Sequence, residues 1–452
     1  MAESGRNAAL QQHPWLKAYP AGLKWDKDYT PRPLHEYLDE SSARFPGAIC
    51  TTFLGRELTY AEIARQVDRA AAGLQSLGLG KGKKVGLLLP NTPTYLIYYF
   101  AALKTGATVV NFNPLYTVEE LRHQARDSGI SLMVTLDLKM LFSKVEQLMQ
   151  EDALENAIVC SFARLLPPLK SLLFRLFKSS DVASPRRSPV AGKVIDGDGL
   201  LDGDTPFRQP HIDTGDVAVL QYTGGTTGTP KGAMLTHANL SINVQQVIDW
   251  AGGISPGQER IMAILPFFHV FAMTAVLNFG VAKGSTLILM PRFELQGALD
   301  LIHKHKATML PGVPTMYNAM SNFPGLGKYD LTSLRFCISG GAALPVEIKR
   351  AFEKLTGCIL VEGYGLSETS PVATCNPPDG PVHEGSIGLP LPATVISIRS
   401  IDNPEKEMPL GEKGELCIAG PQVMPGYWEK PEETRDTFTG KFFRTGDVGY
   451  MD

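Results

Sequence analysis

Two hydrophobic periods alternate along the first third of the chain. A helix is predicted from Thr59, because Thr59 and Glu62 form a capping box and apolar residues follow at helical spacing. Residues 83–89 then begin with two lysines and continue as the apolar run Val85-Gly86-Leu87-Leu88-Leu89, which predicts a buried strand. A second capping box at Thr117 and Glu120 starts the next helix. Strands that alternate with helices predict a parallel, doubly wound sheet.

The pattern changes twice farther along the chain. Ser, Pro and Asp cluster over residues 179–215, which indicates a loop or a subdomain boundary, and a second α/β pattern follows. Beyond Pro390 the pattern predicts short strands at residues 394–398, 414–418 and 426–428. The expected fold is α/β, with two mostly parallel sheets flanked by helices in an αβαβα layering and a small β-barrel-like subdomain. We therefore predict three subdomains, at residues 1–215, 216–390 and 391–452.

Composition narrows the class of protein. Of 452 residues, 44% are hydrophobic and 20% are charged, which excludes a disordered or fibrous chain. The formal net charge of −3 argues against a nucleic-acid partner. No run of 18 apolar residues is present, so no membrane-spanning helix is expected. The six cysteines lack the spacing of a metal site or a disulfide framework, and we expect buried thiols in a cytoplasmic protein.

A segment rich in Gly and Thr follows the apolar run of residues 217–222. Glycines let backbone N–H groups converge on an anion, threonines supply hydroxyl donors, and Lys231 supplies a positive charge. We predict a phosphate-binding loop made of Thr223, Gly224, Gly225, Thr226, Thr227, Gly228, Thr229 and Lys231. The pattern excludes a Walker A loop, in which Lys directly follows Gly and precedes Ser or Thr. The alternative interpretation is a surface turn.

The segment YTGGTTGTPK at residues 222–231 resembles the signature loop of the adenylate-forming superfamily. This superfamily contains acyl-CoA synthetases, adenylation domains of peptide synthetases and luciferases. Four further segments resemble its motifs and occur in the same order: SGGAALP at 339–345, EGYGLSET at 362–369, the glycine-rich stretch at 414–428, and RTGD at 444–447. The resemblance covers nearly the whole chain.

The resemblance implies an enzyme that joins a carboxylate to AMP, releases pyrophosphate, and passes the acyl group to coenzyme A. Its catalytic residues would be Lys231, His269 and Glu368. ATP would be bound through the loop and Lys231 at the β- and γ-phosphates, and Glu368 with Thr223 would hold magnesium. Adenine and ribose would be bound by Gly340, Gly341, Ala342, Glu362, Gly363, Tyr364, Gly365, Ser367 and Asp447. Taken singly, Glu368 also fits an exposed helix start, Tyr364 a core residue, and Asp447 a turn.

The segment LPFFHVFAM at residues 265–273 resembles the aromatic-histidine motif of the same family. His269 would lie near the acyl carboxylate, although a core histidine is the alternative. The implied acyl-binding residues are His269, Phe271, Met273, Gly312, Val313 and Thr315. Their neighbours are apolar, which favours a fatty acid over an amino acid. The segments HPWLKAYPAG, GSIGLPLP and GPQVMPGYW most resemble bacterial long-chain fatty acyl-CoA ligases, and a medium-chain or aryl acid is the alternative substrate.

Residues 165–178 carry an amphipathic pattern. Apolar side chains fall on one helical face, at Leu169, Leu172, Leu173, Leu176 and Phe177, while basic residues lie off that face. Two interpretations stay open. The helix either lies on an anionic membrane, at the inner face of which a peripheral enzyme would collect insoluble acids, or packs its apolar face on the protein core. Family habit implies a monomer or a homodimer.

Family members carry a mobile C-terminal domain after a hinge, with a lysine that assists adenylation. Neither feature precedes Asp452 in this sequence. We therefore expect the 452 residues to form the adenylation region without that domain, and to bind ATP and acyl-AMP while making acyl-CoA poorly. The alternative for this chain is a nucleotide- or acyl-adenylate-binding module without turnover. The loop pattern excludes a third class, the P-loop NTPases.

Overall fold

The computed structural model describes residues 13–223, 230–378, 383 and 385–452. Within these residues the strands in chain order are β1 (Ile49–Phe53), β2 (Arg56–Thr59), β3 (Lys84–Leu87), β4 (Thr108–Asn111), β5 (Leu132–Leu136), β6 (Asn156–Cys160), β7 (Val194–Asp196), β8 (Val217–Thr223), β9 (Lys231–Thr236), β10 (Arg260–Ala263), β11 (Thr286–Leu289), β12 (Met309–Gly312), β13 (Phe336–Ser339), β14 (Ile359–Gly365), β15 (Val372–Cys375), β16 (Leu389–Pro390), β17 (Val395–Arg399), β18 (Gly414–Ala419), β19 (Phe438–Thr439) and β20 (Phe442–Gly449).

The α-helices of the same residues are α1 (Glu36–Arg44), α2 (Tyr60–Ser76), α3 (Pro93–Thr105), α4 (Val118–Ser128), α5 (Lys139–Gln150), α6 (Pro168–Phe177), α7 (Gly197–Asp202), α8 (His237–Ala251), α9 (Val270–Ala272), α10 (Phe279–Ala282), α11 (Leu295–His305), α12 (Pro314–Ser321), α13 (Val346–Thr356) and α14 (Pro431–Thr437). A π-helical turn, Met273–Asn278, joins α9 to α10. In the part of the chain that the structure describes, every helix is too short or too polar to cross a bilayer.

The strands form three sheets. The first has seven strands in the order β7-β6-β5-β3-β4-β8-β9 and is parallel except for β9. The second has nine strands in the order β16-β15-β14-β13-β12-β10-β11-β1-β2, with antiparallel pairs at its two edges. The third is a four-stranded antiparallel sheet, β17-β18-β20-β19. This architecture confirms the predicted α/β class with a small separate β subdomain.

Local sequence signals set the helix starts. The capping boxes predicted at Thr59 and Thr117 are both present, with each threonine side chain accepting the N–H of the glutamate three residues later. A third box, between Thr236 and Asn239, starts α8 directly after β9. Each box satisfies two backbone donors that would otherwise lack a partner. The predicted order of helices and strands in the first third of the chain is confirmed.

Helix α3 occupies the centre of the molecule, and every one of its thirteen residues is buried. Lys104, near its C-terminal end, binds Asp39 at 2.8 Å and Asp68 at 2.6 Å. A buried ammonium needs such partners, because removing an unpaired charge from water costs several kcal/mol. The six cysteines are also buried, as predicted.

Two expectations about the chain's division differ from the structure. The boundary at residue 215 does not separate the sheets, because β1 and β2 join the second sheet while β8 and β9 join the first. The strand predicted at residues 426–428 is wrong. Tyr427 forms only an isolated bridge with Ala233, and the N–H of Trp428 donates to the Gly232 carbonyl at 2.8 Å. This segment lies along β9 because its polar backbone finds partners at that edge.

Candidate functional site

A cavity of about 590 Å³ lies where strands of all three sheets end. Its wall includes the ends of β4, β8 and β14, the turn after β13, and part of β20. Ligands of open α/β sheets bind at the carboxyl ends of the strands, so the cavity occupies the expected place for a site. The wall contains the predicted residues Thr223, His269, Phe271, Gly340, Gly341, Gly363, Tyr364, Gly365, Ser367, Glu368 and Asp447.

The predicted phosphate loop connects two antiparallel strands. Thr223 ends β8, Lys231 begins β9, and the two residues are cross-strand partners. Gly224, Gly225, Thr226, Thr227, Gly228 and Thr229 lie outside the described residues. The hairpin brings the lysine back beside the threonine, so the two ends of the loop lie at the same edge of the first sheet.

Lys231 is connected to Glu368 through Tyr427. The Lys231 ammonium lies 5.4 Å from the centroid of the Tyr427 ring, and the Tyr427 hydroxyl donates to Oε1 of Glu368 at 2.7 Å. Burial raises the pKa of the Tyr427 hydroxyl, and the nearby Glu368 carboxylate raises it further. Tyr427 was not among the predicted site residues, although it lies in the glycine-rich stretch that resembles a family motif.

Glu368 is a buried carboxylate in a short turn, Ser367–Thr369, and lines the cavity with Thr223. The Tyr427 hydroxyl donates its hydrogen bond to Oε1 of Glu368. The other carboxylate oxygen, Oε2, takes no part in that hydrogen bond. One carboxylate and one hydroxyl are a sufficient protein contribution to a Mg²⁺ ion that takes its other ligands from phosphates and water. The residues present therefore fit magnesium.

On the opposite wall, Tyr364 donates its hydroxyl to Oδ2 of Asp447 at 2.6 Å. Burial and this hydrogen bond raise the pKa of the Tyr364 hydroxyl. The backbone N–H of Asp447 donates to Oγ1 of Thr445 at 3.0 Å, and Glu415 binds the neighbouring Arg444 at 2.8 Å. Asp447 therefore lies in β20 beside the cavity, with its backbone held by Thr445 and one carboxylate oxygen engaged by Tyr364.

Two glycines in the wall cannot be replaced without strain. Gly341 has a φ of +77°, a conformation that residues with a Cβ atom rarely adopt. A Cβ atom on Gly365 would lie 1.8 Å from the carbonyl oxygen of Pro371. A side chain at Gly365 would collide with the backbone of Pro371 and Val372, so this glycine lets the two backbone segments of the wall lie close together.

His269 lies at the junction between β10 and α9, with its side chain open to the cavity. Its Nδ1 accepts the backbone N–H of Phe271 at 3.3 Å. Although the imidazole faces the cavity, the surrounding protein removes enough water to lower the pKa of His269. The neutral imidazole is therefore the dominant form at pH 7, and Nε2 carries its proton because Nδ1 is an acceptor.

Three buried amides hold the segment that carries His269. Asn91 accepts the N–H of Phe267 at 2.7 Å, and Gln221 donates to the Phe268 carbonyl at 3.0 Å. Asn111 in turn donates to Gln221 at 3.1 Å. Sequence reasoning missed all three. A polar residue within the apolar run 217–222 was the available signal for Gln221.

A second, apolar cavity of about 30 Å³ adjoins the first, and Ile338 and Val372 line both. Its lining is Val247, Trp250, Ala251, Ala275, Phe279, Met309, Pro311, Phe336, Ile338, Val372, Cys375 and Leu391. Tyr19 packs edge-on against Trp250 at 5.6 Å between ring centroids, so the N-terminal segment covers that side.

The remaining predicted residues are less close to the cavities. Lys231, Ala342, Glu362, Met273, Gly312, Val313 and Thr315 are absent from the wall that the described residues form around either cavity. Burial raises the pKa of the Glu362 carboxyl. The buried Met273 accepts a weak hydrogen bond from Asn111, and Val313 lies next to Gly341. Thr315 is exposed.

Two mostly parallel sheets flanked by helices, with a small antiparallel sheet beside them, match the fold of adenylate-forming α/β proteins. The AMP-binding enzyme family pattern matches residues 38–428, so the chain belongs to the AMP-binding enzyme family. It is 42% identical over 442 residues to a long-chain-fatty-acid–CoA ligase of Bacillus subtilis (strain 168), covering 98% of this chain and 78% of that protein.

Two further proteins that are similar to this chain are also long-chain-fatty-acid–CoA ligases. A long-chain-fatty-acid–CoA ligase of Escherichia coli O6:H1 is 34% identical over 443 residues, which cover 97% of this chain and 78% of that protein. The crystal structure of a long-chain-fatty-acid-CoA ligase from Archaeoglobus fulgidus superposes with a TM-score of 0.81 at 26% identity. That alignment covers 96% of this chain and 84% of the other.

Proposed function

We propose that the protein is an AMP-forming long-chain fatty acid–CoA ligase. It activates a fatty acid with ATP to acyl-AMP and pyrophosphate, and then forms a thioester with coenzyme A. The observation that carries the proposal is the junction, at Ile338 and Val372, of a nucleotide-sized cavity that includes Thr223, Glu368 and Asp447 with an apolar cavity. An acyl-adenylate has the same two parts, and the curated relatives act on long-chain fatty acids.

In the first step an oxygen of the fatty acid carboxylate attacks the α-phosphorus of ATP, and the bond to the β-phosphate breaks. Both reactants are anions, so the protein must neutralise and position charge. Lys231 and the loop from Thr223 to Thr229 hold the β- and γ-phosphates. Glu368 and Thr223 hold magnesium, which neutralises phosphate charge when it is bound. His269, kept in place by Asn91 and Gln221, donates from Nε2 toward the carboxylate.

The adenosine part lies between Tyr364 and the turn after β13. The Tyr364 ring stacks on adenine, and Gly340, Gly341, Gly363 and Gly365 line the same part of the cavity. Asp447 accepts hydrogen bonds from the two ribose hydroxyls, because a carboxylate suits a diol. Ala342, Glu362 and Ser367 complete the adenine side in this proposal.

The acyl chain passes Phe271 and enters the apolar cavity, with Met273, Gly312, Val313 and Thr315 in the surrounding elements. The cavity has a volume of only about 30 Å³, so the side chains on its wall must move when a long chain enters. The lining is apolar apart from one buried thiol, which matches a hydrocarbon. A medium-chain or aryl acid would need less of this movement and is the alternative substrate.

A series of stable acyl-adenylate analogues tests the proposed function. Sulfamoyl analogues with acyl chains from C8 to C20, and a benzoyl analogue, would be titrated into the 452-residue chain by calorimetry, with AMP as the reference. We expect affinity to rise with chain length and to exceed that of the benzoyl analogue at least tenfold. An affinity that peaks at C8 or at benzoyl would reject the long-chain assignment.

We further propose a cytoplasmic protein that contacts the inner face of the membrane through residues 165–178, as a monomer or homodimer. Helix α6 within this range exposes five apolar side chains, those of Leu169, Leu172, Leu173, Leu176 and Phe177. This exposure supports contact with a lipid surface and disfavours the alternative of a core-facing helix.

A further inference from the structure

Helix α6 is fixed to the protein along one side only. The Phe174 ring packs against Phe162 at 5.1 Å between centroids, and Phe162 packs against the buried Phe53. Lys170 donates to the backbone carbonyl of Leu54 at 2.8 Å. The helix is thus held in a defined orientation, with Phe174 facing the protein.

The opposite side of α6 is apolar and open to solvent. We name this surface the apolar arc, and its members are Leu169 (69% exposed), Leu172 (55%), Leu173 (43%), Leu176 (62%) and Phe177 (76%). At 3.6 residues per turn the five side chains fall within an arc about 140° wide, centred opposite the side where Phe174 and Ser171 lie. Single exposed apolar residues are ordinary, but five on one helical face mark an interaction surface.

The charge beside the apolar arc is positive. Residues 168–178 contain three basic side chains, Lys170, Arg175 and Lys178, and no acidic side chain, which gives a charge of +3. The whole chain has a charge of −3, so the remaining residues carry −6. Three other basic side chains nearby are ion-paired within the protein: Arg164 with Asp202, Arg186 with Asp196 and Lys193 with Asp152. The positive charge that accompanies the arc is therefore that of the helix itself.

The positive charge next to the apolar arc indicates which of two partners the arc binds, a second copy of the chain or a lipid bilayer. Two copies of the chain that met through this face would bring two helices of charge +3 together, which like-charge repulsion opposes. An anionic bilayer satisfies both features at once, since its acyl region takes apolar side chains and its headgroups attract lysine and arginine. Helices with an apolar face and basic flanks commonly lie in that interface.

We propose that α6 docks the protein on anionic lipid bilayers, with the apolar arc in the acyl region and Arg175 and Lys178 among the headgroups. The docking surface is separate from the nucleotide cavity. The proposal rests on the proposed peripheral location and not on the acid that is activated. Because Phe174 anchors the opposite side, docking buries the arc without unfolding the helix from the protein.

Vesicle sedimentation tests this surface. The 452-residue chain should bind vesicles of phosphatidylglycerol and phosphatidylethanolamine at least tenfold more tightly than vesicles of phosphatidylcholine. Raising the salt from 0.1 to 0.5 M should weaken the binding, because salt screens the headgroup attraction. The variant Arg175→Gln/Lys178→Gln should reduce the preference for phosphatidylglycerol. Absence of vesicle binding by the unmodified chain overturns the proposal.

A pair of double variants isolates the apolar arc. Leu172→Asp/Leu176→Asp changes two exposed residues of the arc, and Ile401→Asp/Leu410→Asp changes two residues of similar exposure in the β subdomain. Both add two negative charges. We expect vesicle affinity to fall at least tenfold more for the first variant than for the second. Equal vesicle affinities of the two variants overturn the proposal. It is also overturned if the arc variant changes from dimer to monomer and still binds vesicles.

Binding of the C16 acyl-adenylate analogue is measured on the same samples. Loss of vesicle binding by the arc variant with analogue binding retained supports a separate docking surface. An unmodified chain that binds the analogue but not the vesicles rejects the membrane surface alone. A chain that binds vesicles but not the analogue rejects the ligase function alone.

Discussion

Tyr427 donates a hydrogen bond to the carboxylate of Glu368, with 2.7 Å between the two oxygen atoms. The two residues are 59 positions apart, and a backbone bond from the Met424 N–H to the Glu368 carbonyl at 2.8 Å ties their segments together. The ring of Tyr427 lies beneath the Lys231 ammonium. One tyrosine therefore positions both the carboxylate proposed for magnesium and the cation proposed for phosphate.

Tyr427→Phe should weaken binding of magnesium-ATP about tenfold and leave binding of metal-free ATP unchanged. The ring beneath Lys231 stays, but the buried Glu368 loses a hydrogen bond of the kind worth about 1.5–3 kcal/mol to a charged group. Calorimetric titration with and without magnesium measures both affinities. Tyr450→Phe, at an exposed tyrosine, is the matched control. An equal loss with and without the metal would reject the link through Glu368.

Lys231→Ala should weaken ATP binding at least tenfold, both with and without magnesium. The substitution removes a positive charge from the proposed phosphate site, where a charge-assisted hydrogen bond contributes about 1.5–3 kcal/mol. Titration with ATP and AMP separates the effects, because AMP lacks the β- and γ-phosphates. Lys304→Ala on α11 controls for the loss of a surface lysine. Unchanged ATP affinity would remove Lys231 from the site.

Asp447→Ala should weaken the binding of ATP about tenfold and leave the binding of 2′,3′-dideoxy-ATP nearly unchanged. The carboxylate is proposed to accept from both ribose hydroxyls, and the dideoxy nucleotide has neither. Equilibrium competition against a fluorescent ATP analogue gives both affinities. A similar loss for both nucleotides would show that Asp447 acts through Tyr364 and the loop instead of through ribose.

The stability of the protein should fall as the pH decreases from 6.5 to 4. Burial lowers the pKa of His237 to about 4 from an ordinary value of 6.5, with a further contribution from His35. In this window the unfolded state binds a proton that the folded state excludes, which costs up to about 3 kcal/mol of unfolding free energy. Urea unfolding at pH 7 and pH 4.5 measures the drop.

His237→Asn is the matching variant for that measurement. Asparagine retains an acceptor for the Leu34 N–H, which donates to Nδ1 of His237 at 3.1 Å, and it does not titrate. The difference in unfolding free energy between pH 7 and pH 4.5 should be smaller in the variant. An unchanged difference would mean that other groups, such as His35 and His269, cause the pH dependence.

Local signals in the sequence predict much of the secondary structure. The boxes at Thr59 and Thr117 are confirmed, because capping depends on residues only three positions apart. Sheet membership was not predictable in this way. β1 pairs with β11 across more than 200 positions, and β8 continues the first sheet beyond β4. Such pairings depend on long-range packing that periodicity does not encode.

The same contrast between local and long-range information applies to the residues of the candidate site. Residues within contiguous motifs, such as Tyr364, Glu368 and Asp447, were predicted together from the sequence, and the structure brings them to one cavity. Asn91, Gln221 and Tyr427 were missed, because each acts on a segment far away in the chain. The orientation of α6 was left open for the same reason, since an amphipathic pattern defines a face without saying what covers it.

The central claim is that nucleotide and acyl chain share one continuous site through the junction at Ile338 and Val372. The most direct test is the affinity of the C16 acyl-adenylate analogue, and of AMP alone, in Asp447→Ala and in Ala275→Phe, which fills the apolar cavity. We predict that each variant weakens binding of the C16 analogue at least tenfold and that only Asp447→Ala weakens binding of AMP. Unchanged affinity of Ala275→Phe for the C16 analogue would contradict the claim.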